Sequence, residues 1–282
     1  MDVLTTPSSM RAWTAARHAA ARRVGFVPTM GALHAGHLSL VDIAAGRCDD
    51  VVVSIFVNPL QFDRAADFDA YPRPIDDDVE RCRAAGVDAV YAPTARAMYP
   101  AGFETHVEPG PLADVMEGAA RPGHFRGVTT VVTKLFGAVR PDVAVFGEKE
   151  FQQLAVIRRM TCDLDLGIEI VGAPIVREPD GLAMSSRNVR LDPAQRAAAA
   201  CVPHALATAA AVVAAGGAAS AAIDGAAAVV DAEPLARLEY VEVFDPLTLC
   251  PLTDLRAATT APRIAIAVWF GDVRLIDNRS LS

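Results

Sequence analysis

Two histidines, His34 and His37, lie in a glycine-containing segment that could bind a phosphate chain. The segment PTMGALHAGHL (residues 28–38) leaves the first predicted strand and enters the first predicted helix. Amides at a helix start and the positive end of its dipole attract anions, and each imidazole can donate a hydrogen bond to an oxygen that gains charge. Gly31 permits an unusual backbone turn, and Gly36 lets a phosphate approach closely. Zinc binding or a structural role would fit the same spacing, although no nearby Cys, Asp or Glu completes a metal site.

A lysine stands in a second segment of the same kind, Gly147-Glu148-Lys149-Glu150, at the end of another predicted strand. Only two of the 26 basic residues are lysines, Lys134 and Lys149, so a lysine in this chain suggests a need that arginine cannot meet. A compact ammonium can follow a moving phosphoryl oxygen, unlike a planar guanidinium. The alternative to phosphate binding is an exposed lysine in the first turn of a helix.

Three weaker signals surround these two. The polar stretch Met184-Ser185-Ser186-Arg187-Asn188 carries hydroxyls and a guanidinium suited to closing over a triphosphate, although it is also ordinary turn chemistry. Neutral amides that could hold hydroxyls or a carboxylate occur at Asn58, Gln61 and Gln153. Asp76–Asp78 could bind Mg²⁺ through water, but we favour N-terminal capping of the helix that follows them.

Strands must alternate with helices to bring these segments to one edge. Apolar runs predict strands at 24–27, 51–57, 89–92, 143–146 and 169–176, and amphipathic stretches predict helices at 36–46, 75–85, 128–139 and 151–163. This alternation predicts a doubly wound parallel sheet over residues 1–176, with ligands at the carboxyl ends of its strands. Residues 177–282 read as a smaller α+β domain: a helix starting at Asp192-Pro193, alanine-rich helices broken near 216–217, and strands at 239–244, 264–270 and 273–276.

Composition excludes several classes of protein. The net charge of −8 disfavours a nucleic-acid-binding surface, and we find neither a secretory signal nor an apolar run long enough to span a membrane. Five scattered cysteines predict reduced thiols and a cytoplasmic location. A dinucleotide-binding dehydrogenase is disfavoured because GxGxxG does not follow the first strand. A non-catalytic nucleotide-binding module stays open as an alternative.

The motifs PTMGALHAGH, SIFVNPLQF, DAYPR, RPGHFRGV, FGEKEFQQL and AMSSRN occur in an order that resembles the pantoate–β-alanine ligase (pantothenate synthetase) family, over about residues 25–278. That resemblance implies a Rossmann-like fold of the HxGH nucleotidyltransferase type, with residues 177–282 acting as a lid. It implies His37 as proton donor, with His34 and Lys149 on the phosphates. The implied ATP-binding residues are Pro28, Met30, Gly31, Ala32, Leu33, His34, Ala35, Gly36, His37, Gly147, Glu148, Lys149, Glu150, Val176, Met184, Ser185, Ser186 and Arg187.

The resemblance also implies a reaction: ATP-dependent condensation of pantoate with β-alanine through a pantoyl adenylate, with Mg²⁺, in a homodimer. Gln61 would contact both pantoate and β-alanine, and Gln153 would contact pantoate. Residue type alone, and not the resemblance, places Asn58 in the same pocket and makes Asp77 the candidate metal ligand. The family usually has Asp where this chain has Glu150, which puts a ribose or metal contact of that carboxylate in doubt. The nearest rival is another HxGH enzyme, one that transfers a nucleotidyl group to a phosphorylated acceptor.

Overall fold

The computed structural model describes residues 1–281, which divide into two compact units. The first unit comprises Met1–Glu148 and Gln153–Pro174, and the second comprises Lys149–Gln152 and the residues from Ile175 onward. The short segment Lys149–Gln152 therefore packs with the C-terminal unit, although the chain reaches it between two strands of the first unit.

The first unit is built on a six-stranded, wholly parallel sheet in the order β1-β4-β3-β2-β5-β6. The order reverses between β2 and β5, and ligands bind parallel sheets of this kind at such a reversal, beyond the carboxyl ends of the strands. The strands are β1 (Asp2–Leu4), β2 (Val24–Thr29), β3 (Asp50–Ile55), β4 (Ala89–Tyr91), β5 (Val143–Gly147) and β6 (Glu169–Ala173).

Helices cover both faces of this sheet, which explains why its central strands are apolar throughout. The helices of the first unit are α1 (Pro7–Ala19), α2 (Ala35–Ala45), α3 (Ala65–Asp69), α4 (Ile75–Ala84), α5 (Ala95–Met98), α6 (Met116–Ala120), α7 (His124–Val139) and α8 (Phe151–Asp163). One core contains buried side chains of α1, α7 and α8, and the other contains buried side chains of α2 and α4. The predicted doubly wound α/β fold is confirmed.

Several predicted boundaries differ from those observed. The first predicted strand, which is β2, continues to Thr29, so Pro28 belongs to the sheet and not to the loop. The last strand of the sheet ends at Ala173 and not at Val176, because Pro174 has no N–H to continue a ladder. Helix α7 begins at His124, four residues before the predicted start. Strand β1 and helices α1, α3, α5 and α6 were not predicted.

The second unit contains helices α9 (Pro193–Ala198), α10 (Cys201–Ala214) and α11 (Ala219–Asp231), followed by an antiparallel sheet of β7 (Ala236–Phe244), β8 (Arg263–Phe270) and β9 (Val273–Ser280). Asp192 is the N-cap of α9 and forms a capping box with Gln195, as the Asp-Pro pair predicted. The interhelical break at 215–218 lies where the glycines predicted it. This small α+β arrangement is also confirmed.

One stretch, Pro193–Ala214, is long and apolar enough by composition to cross a membrane, contrary to the expectation from sequence. Alanine raises its hydropathy, and a turn at 199–200 divides it into α9 and α10. Val202, Ala205, Leu206 and Ala209 of α10 lie in the core of the second unit. The stretch is therefore weak support for a membrane span.

Candidate active site

Strand β2 separates from β5 just before the histidine motif. It pairs with β5 at Gly25 and Phe26, whereas its pairing with β3 continues to Thr29. Pro28 lies in the part of β2 that pairs with β3 alone, which suits a residue that cannot donate to a ladder. The two strands thus diverge at their carboxyl ends, where the sheet order reverses.

The loop after β2 has a backbone conformation that few residues adopt. Gly31 has φ +82° and Ala32 has φ +50°, both left-handed. A Cβ atom on Gly31 would lie 2.9 Å from Asp78 Oδ2 and 3.0 Å from Ile55 Cγ2, so a side chain there is excluded twice over. Thr29 fixes the start of the loop, because its Oγ1 donates to the Ser54 carbonyl at 2.7 Å and accepts from Gly31 N at 3.1 Å.

A carboxylate on α4 holds the same loop. Asp78 is 1% exposed, and its two oxygens accept from Ala32 N and Leu33 N, both at 2.7 Å. Arg81, one turn further along α4, donates to the Leu33 carbonyl at 3.0 Å. Burial raises the pKa of Asp78, and the two backbone hydrogen bonds oppose that rise. Sequence reasoning missed this role, although the i, i+4 placement of Asp78 and the buried Cys82 put the carboxyl on the inner face of α4.

The two histidines form one compact pair at the start of α2. His34 is the N-cap residue, its Nδ1 accepts from Gly36 N at 3.2 Å, and His37 Nδ1 accepts from His34 N at 3.3 Å. The ring centroids are 4.1 Å apart. Because each Nδ1 accepts a backbone hydrogen, each neutral ring carries its proton on Nε2. Two imidazole N–H donors therefore lie at the positive end of a helix dipole.

A buried amide pair follows β3 in the turn Pro59–Gln61. Asn58 is 1% exposed; its Nδ2 donates to Gln61 Oε1 at 3.0 Å and to the Gly127 carbonyl at 3.1 Å. Its Oδ1 accepts from Tyr99 OH at 2.7 Å, and burial strongly raises the pKa of that phenol. Gln61 Nε2 contacts the sulfur of Met30 at 3.2 Å. The hydrogen bonds of the Asn58 amide therefore position Gln61, which contacts Met30 of the histidine loop.

The start of α7 supports Gln61 from the other side. His124 Nδ1 donates to the Gln61 carbonyl at 2.8 Å, and Arg121 donates to the same oxygen at 3.1 Å. Burial, followed by the charge of Arg121, lowers the pKa of His124 to about 4, so this imidazole is neutral at pH 7. A Cβ on Gly127 would lie 2.2 Å from the Leu60 carbonyl oxygen, so α7 can approach the turn only with glycine there.

A cleft of about 200 Å³ opens beside this turn in the first unit. Polar groups of Gln61, Asp63, His106, His124 and Arg126 line it. Its size and its mixture of amide, imidazole, guanidinium and carboxylate groups suit a small polar molecule. The motif RPGHFRGV was noticed in the sequence, but the support that its His124 and Arg121 give to Gln61 was not.

The lysine motif follows β5, the strand next to β2. Gly147 ends β5, and Glu148–Glu150 form a single 3₁₀ turn before α8. Lys149 Nζ lies 3.0 Å from Glu150 Oε1. Gln153 is half-buried in the first turns of α8.

The loop Met184–Arg187 leaves a short hairpin in the second unit. Met184 N donates to the Val176 carbonyl at 2.9 Å, so two of the predicted nucleotide residues are bonded through their backbones. Ser185 Oγ accepts from Arg187 N at 3.2 Å, and the side chain of Asn188 donates to Glu178 Oε1 and to the Ala183 carbonyl. Ser185, Ser186 and Arg187 are all half-buried.

Asp76–Asp78 lie within the first turn of α4, and Pro74, not an aspartate, is the N-cap residue. Asp76 and Asp77 are exposed and interact favourably with the helix dipole. Within residues 1–281, no three His, Cys, Asp or Glu side chains cluster as metal ligands. The metal role of Asp77 stays a prediction.

Comparisons with known proteins agree over the whole chain. The family model described as Pantoate-beta-alanine ligase matches residues 2–280. The pantothenate synthetase of Heliobacterium modesticaldum is 50% identical over 279 residues, covering 99% of this chain and 98% of that protein. That of Mycolicibacterium vanbaalenii is 52% identical over 280 residues, covering 99% and 88%.

Solved structures give the same result. Pantothenate synthetase from Thermus thermophilus is similar with a TM-score of 0.93 and 44% identity, covering 100% of this chain and 99% of that one. Pantoate-beta-alanine ligase from Francisella tularensis, solved in complex with "Beta-gamma ATP and Beta-alanine", has a TM-score of 0.80 and 30% identity, covering 100% and 98%.

Proposed function

The chain belongs to the pantoate–β-alanine ligase family and condenses pantoate with β-alanine in a reaction that uses ATP, and we propose that it does so through a pantoyl adenylate. In the first step, a carboxylate oxygen of pantoate attacks the α-phosphorus of ATP, and pyrophosphate leaves. In the second, the amine of β-alanine attacks the acyl carbon, the C–O bond to AMP breaks, and pantothenate and AMP are released.

The observation that carries the proposal is the histidine pair at the start of α2. Two Nε2–H groups on rings 4.1 Å apart can reach oxygens of one phosphate chain. We assign proton donation to His37 and phosphate contact to His34, with the backbone from Met30 to Gly36 around the nucleotide. Pre-organised donors of this kind stabilise charge that develops as the leaving group departs.

The amides beside the turn Pro59–Gln61 are proposed to serve the other two substrates. Gln61 would contact pantoate and β-alanine, because its amide lies between Met30 and the cleft. Gln153 would contact pantoate. Asn58 was expected to contact substrate, but its side-chain bonds to Gln61, Gly127 and Tyr99 support a positioning role.

The remaining nucleotide contacts are assigned to backbone and charged groups. Gly147 and Glu148 would lie along the nucleotide, and Val176 near its adenine. Lys149 would bind phosphate oxygens and exchange its contact with Glu150 for them. Ser185, Ser186 and Arg187, after Met184, would close over the triphosphate as a flap of the second unit. Their hydroxyl and guanidinium donors suit phosphate oxygens.

We further propose that Mg²⁺ enters with ATP and neutralises charge on its phosphates. Mg²⁺ is usually held by phosphate oxygens, water and one or two carboxylates. The exposed carboxylate of Asp77 fits such a site better than it fits a closed protein cage. We also propose a cytoplasmic homodimer: family membership supports both properties, and the five free cysteines support the location alone.

Isotope exchange tests the proposal directly. Labelled pyrophosphate should enter ATP only when pantoate is present, since the adenylate forms reversibly. His37→Ala and Lys149→Ala should each lower this exchange by about 10² to 10³ while leaving the circular dichroism spectrum unchanged. His204→Ala, which removes an exposed imidazole on α10, is the matched control and should retain full exchange.

Exchange that requires a phosphorylated acceptor instead of pantoate would identify a nucleotidyltransferase and contradict the adenylate. Near-normal exchange by His37→Ala or Lys149→Ala would show that the corresponding assignment is wrong.

A further inference from the structure

Two adjacent polar residues, Asp277 and Asn278, lie inside the second unit on β9. Each is 2% exposed. Buried polar side chains are costly unless their hydrogen bonds are satisfied, so their partners indicate what they hold in place. Asn278 contacts the lysine turn that the proposed function assigns to ATP, and Asp277 contacts Arg177 of the hairpin that precedes the loop Met184–Arg187.

Asn278 holds the lysine turn. Its Nδ2 donates to the backbone carbonyl of Lys149 at 3.0 Å, and its Oδ1 accepts from Arg263 at 2.7 Å. The guanidinium of Arg263 lies 4.3 Å from the ring centroid of Phe151, which also contacts Phe244 at 5.8 Å. The turn is therefore held at Lys149 directly and at Phe151 through Arg263.

Asp277 holds the hairpin before the hydroxyl-bearing loop. Its two oxygens accept from Arg177 at 2.7 and 3.0 Å. Arg177 also donates to the Gly181 carbonyl at 2.9 Å, across the hairpin that ends at Met184. The two anchors are joined, because Asn278 N donates to Asp277 Oδ1 at 2.7 Å.

We propose that Asp277 and Asn278 form a positioning pair that fixes the Lys149 ammonium and the loop Met184–Arg187 in register for one triphosphate. The inference rests on the proposed function of those two segments. It explains why β9 carries a buried carboxylate and a buried amide where apolar residues would pack. In this proposal both residues act through the backbone geometry of other groups and not through contact with substrate.

Asn278→Asp is the sharpest perturbation. It keeps the shape and the oxygen for Arg263, but it replaces the donor to the Lys149 carbonyl with an acceptor. Misplacing a catalytic group by a fraction of an ångström to an ångström should lower kcat for pantoate-dependent exchange between about 10- and 100-fold. The KM for pantoate should change by less than about twofold, because its proposed contacts are in the first unit. Asp277→Asn should act in the same direction.

Two comparisons separate positioning from general stability. In a Lys149→Ala background, Asn278→Asp should cause no further loss, because the group on which it acts is gone. Glu239→Gln is the matched control. It weakens the pair between Glu239 on β7 and Arg274, which lies on β9 like Asn278, at 2.6 Å. Glu239 contacts neither of the two segments, so this variant should keep full kcat. An equal loss from Asn278→Asp in both backgrounds, or a normal kcat in the single variant, would overturn the proposal.

Hydrogen exchange gives a readout that does not depend on ligase activity. Asn278→Asp should speed exchange of the amides at 149–151, and Asp277→Asn that of the amides at 184–187, relative to Glu239→Gln. Unchanged exchange in either segment would overturn the positioning role. A wild-type protein without pantoate-dependent exchange, but with these amide effects, would contradict only the proposed function.

Discussion

Replacing Asp78 with asparagine should destabilise the loop that carries His34 and His37 and lower activity, although neither histidine is changed. The carboxylate accepts two backbone hydrogen bonds of 2.7 Å from consecutive residues, and it is 1% exposed. Asparagine retains one acceptor oxygen but turns an NH₂ group toward the second backbone N–H. The loop then loses one charge-assisted bond and gains a buried donor–donor contact.

The size of the effect follows from those contacts. A hydrogen bond to a charged group contributes about 1.5 to 3 kcal/mol, and an unsatisfied buried donor costs about 1 to 3 kcal/mol. Ala32, at φ +50°, adds about 1 kcal/mol of backbone strain that the carboxylate opposes. Taking the lower end of each range, we expect the loop to lose about 3.5 kcal/mol of stability, which corresponds to a fall of about 10² to 10³ in pantoate-dependent exchange.

Pyrophosphate exchange and denaturant unfolding measure the two consequences, and hydrogen exchange at Ala32 and Leu33 locates them. Asp76→Asn is the matched control, since it removes the same charge from the same helical turn at an exposed position. It should cost no more than about 0.5 kcal/mol and leave exchange intact. If Asp78→Asn stayed within about threefold of the wild-type rate, the view that this carboxylate organises the loop would be refuted.

Two further results are expected. Gly127→Ala should lower pantoate-dependent exchange by about 10², because its Cβ would lie 2.2 Å from the Leu60 carbonyl oxygen. Gly137 is on the same helix with open space around it, so Gly137→Ala should stabilise the protein by about 0.5 to 1 kcal/mol. Equal behaviour of the two variants in activity and unfolding assays would contradict this. His124 has a folded pKa of about 4, below its ordinary 6.5, so the unfolded chain binds the proton more tightly and stability is lost as pH falls from 6.5 towards 4. This group alone should lower the free energy of unfolding by about 2 kcal/mol between pH 7 and pH 5, and His124→Gln should remove that part of the pH dependence. Denaturant titrations of both proteins at each pH measure the difference. The same pH dependence in both proteins would show that the ring is already protonated at pH 7.

Local pattern was enough to predict the fold where elements are long and buried. The apolar runs of β2, β3 and β5 and the amphipathic α8 left few alternatives. Strand β1 was missed because it has three residues, largely exposed, at the sheet edge. Helix α1 did carry a signal, since Thr6 and Ser9 form a capping box around Pro7, but its low apolar content concealed it.

The candidate site was predicted less evenly, for a physical reason. His34, His37 and Lys149 stand in short segments whose chemistry can be recognised locally. Asp78 stabilises a loop some 45 positions earlier in the chain, and only the folded sheet brings the two together. Asn58 shows the converse limit: its type fitted a substrate contact, but its neighbours satisfy its amide.

The placement of Lys149–Gln152 has a consequence for dividing the gene. A fragment that stopped after the sixth parallel strand would encode the lysine but not the amide that receives its carbonyl. The complementary fragment would encode that amide but lack the Lys149 carbonyl to which it donates. Consecutive halves of this enzyme are therefore not interchangeable modules, and chimaeras between relatives should exchange the lysine turn together with the C-terminal strand.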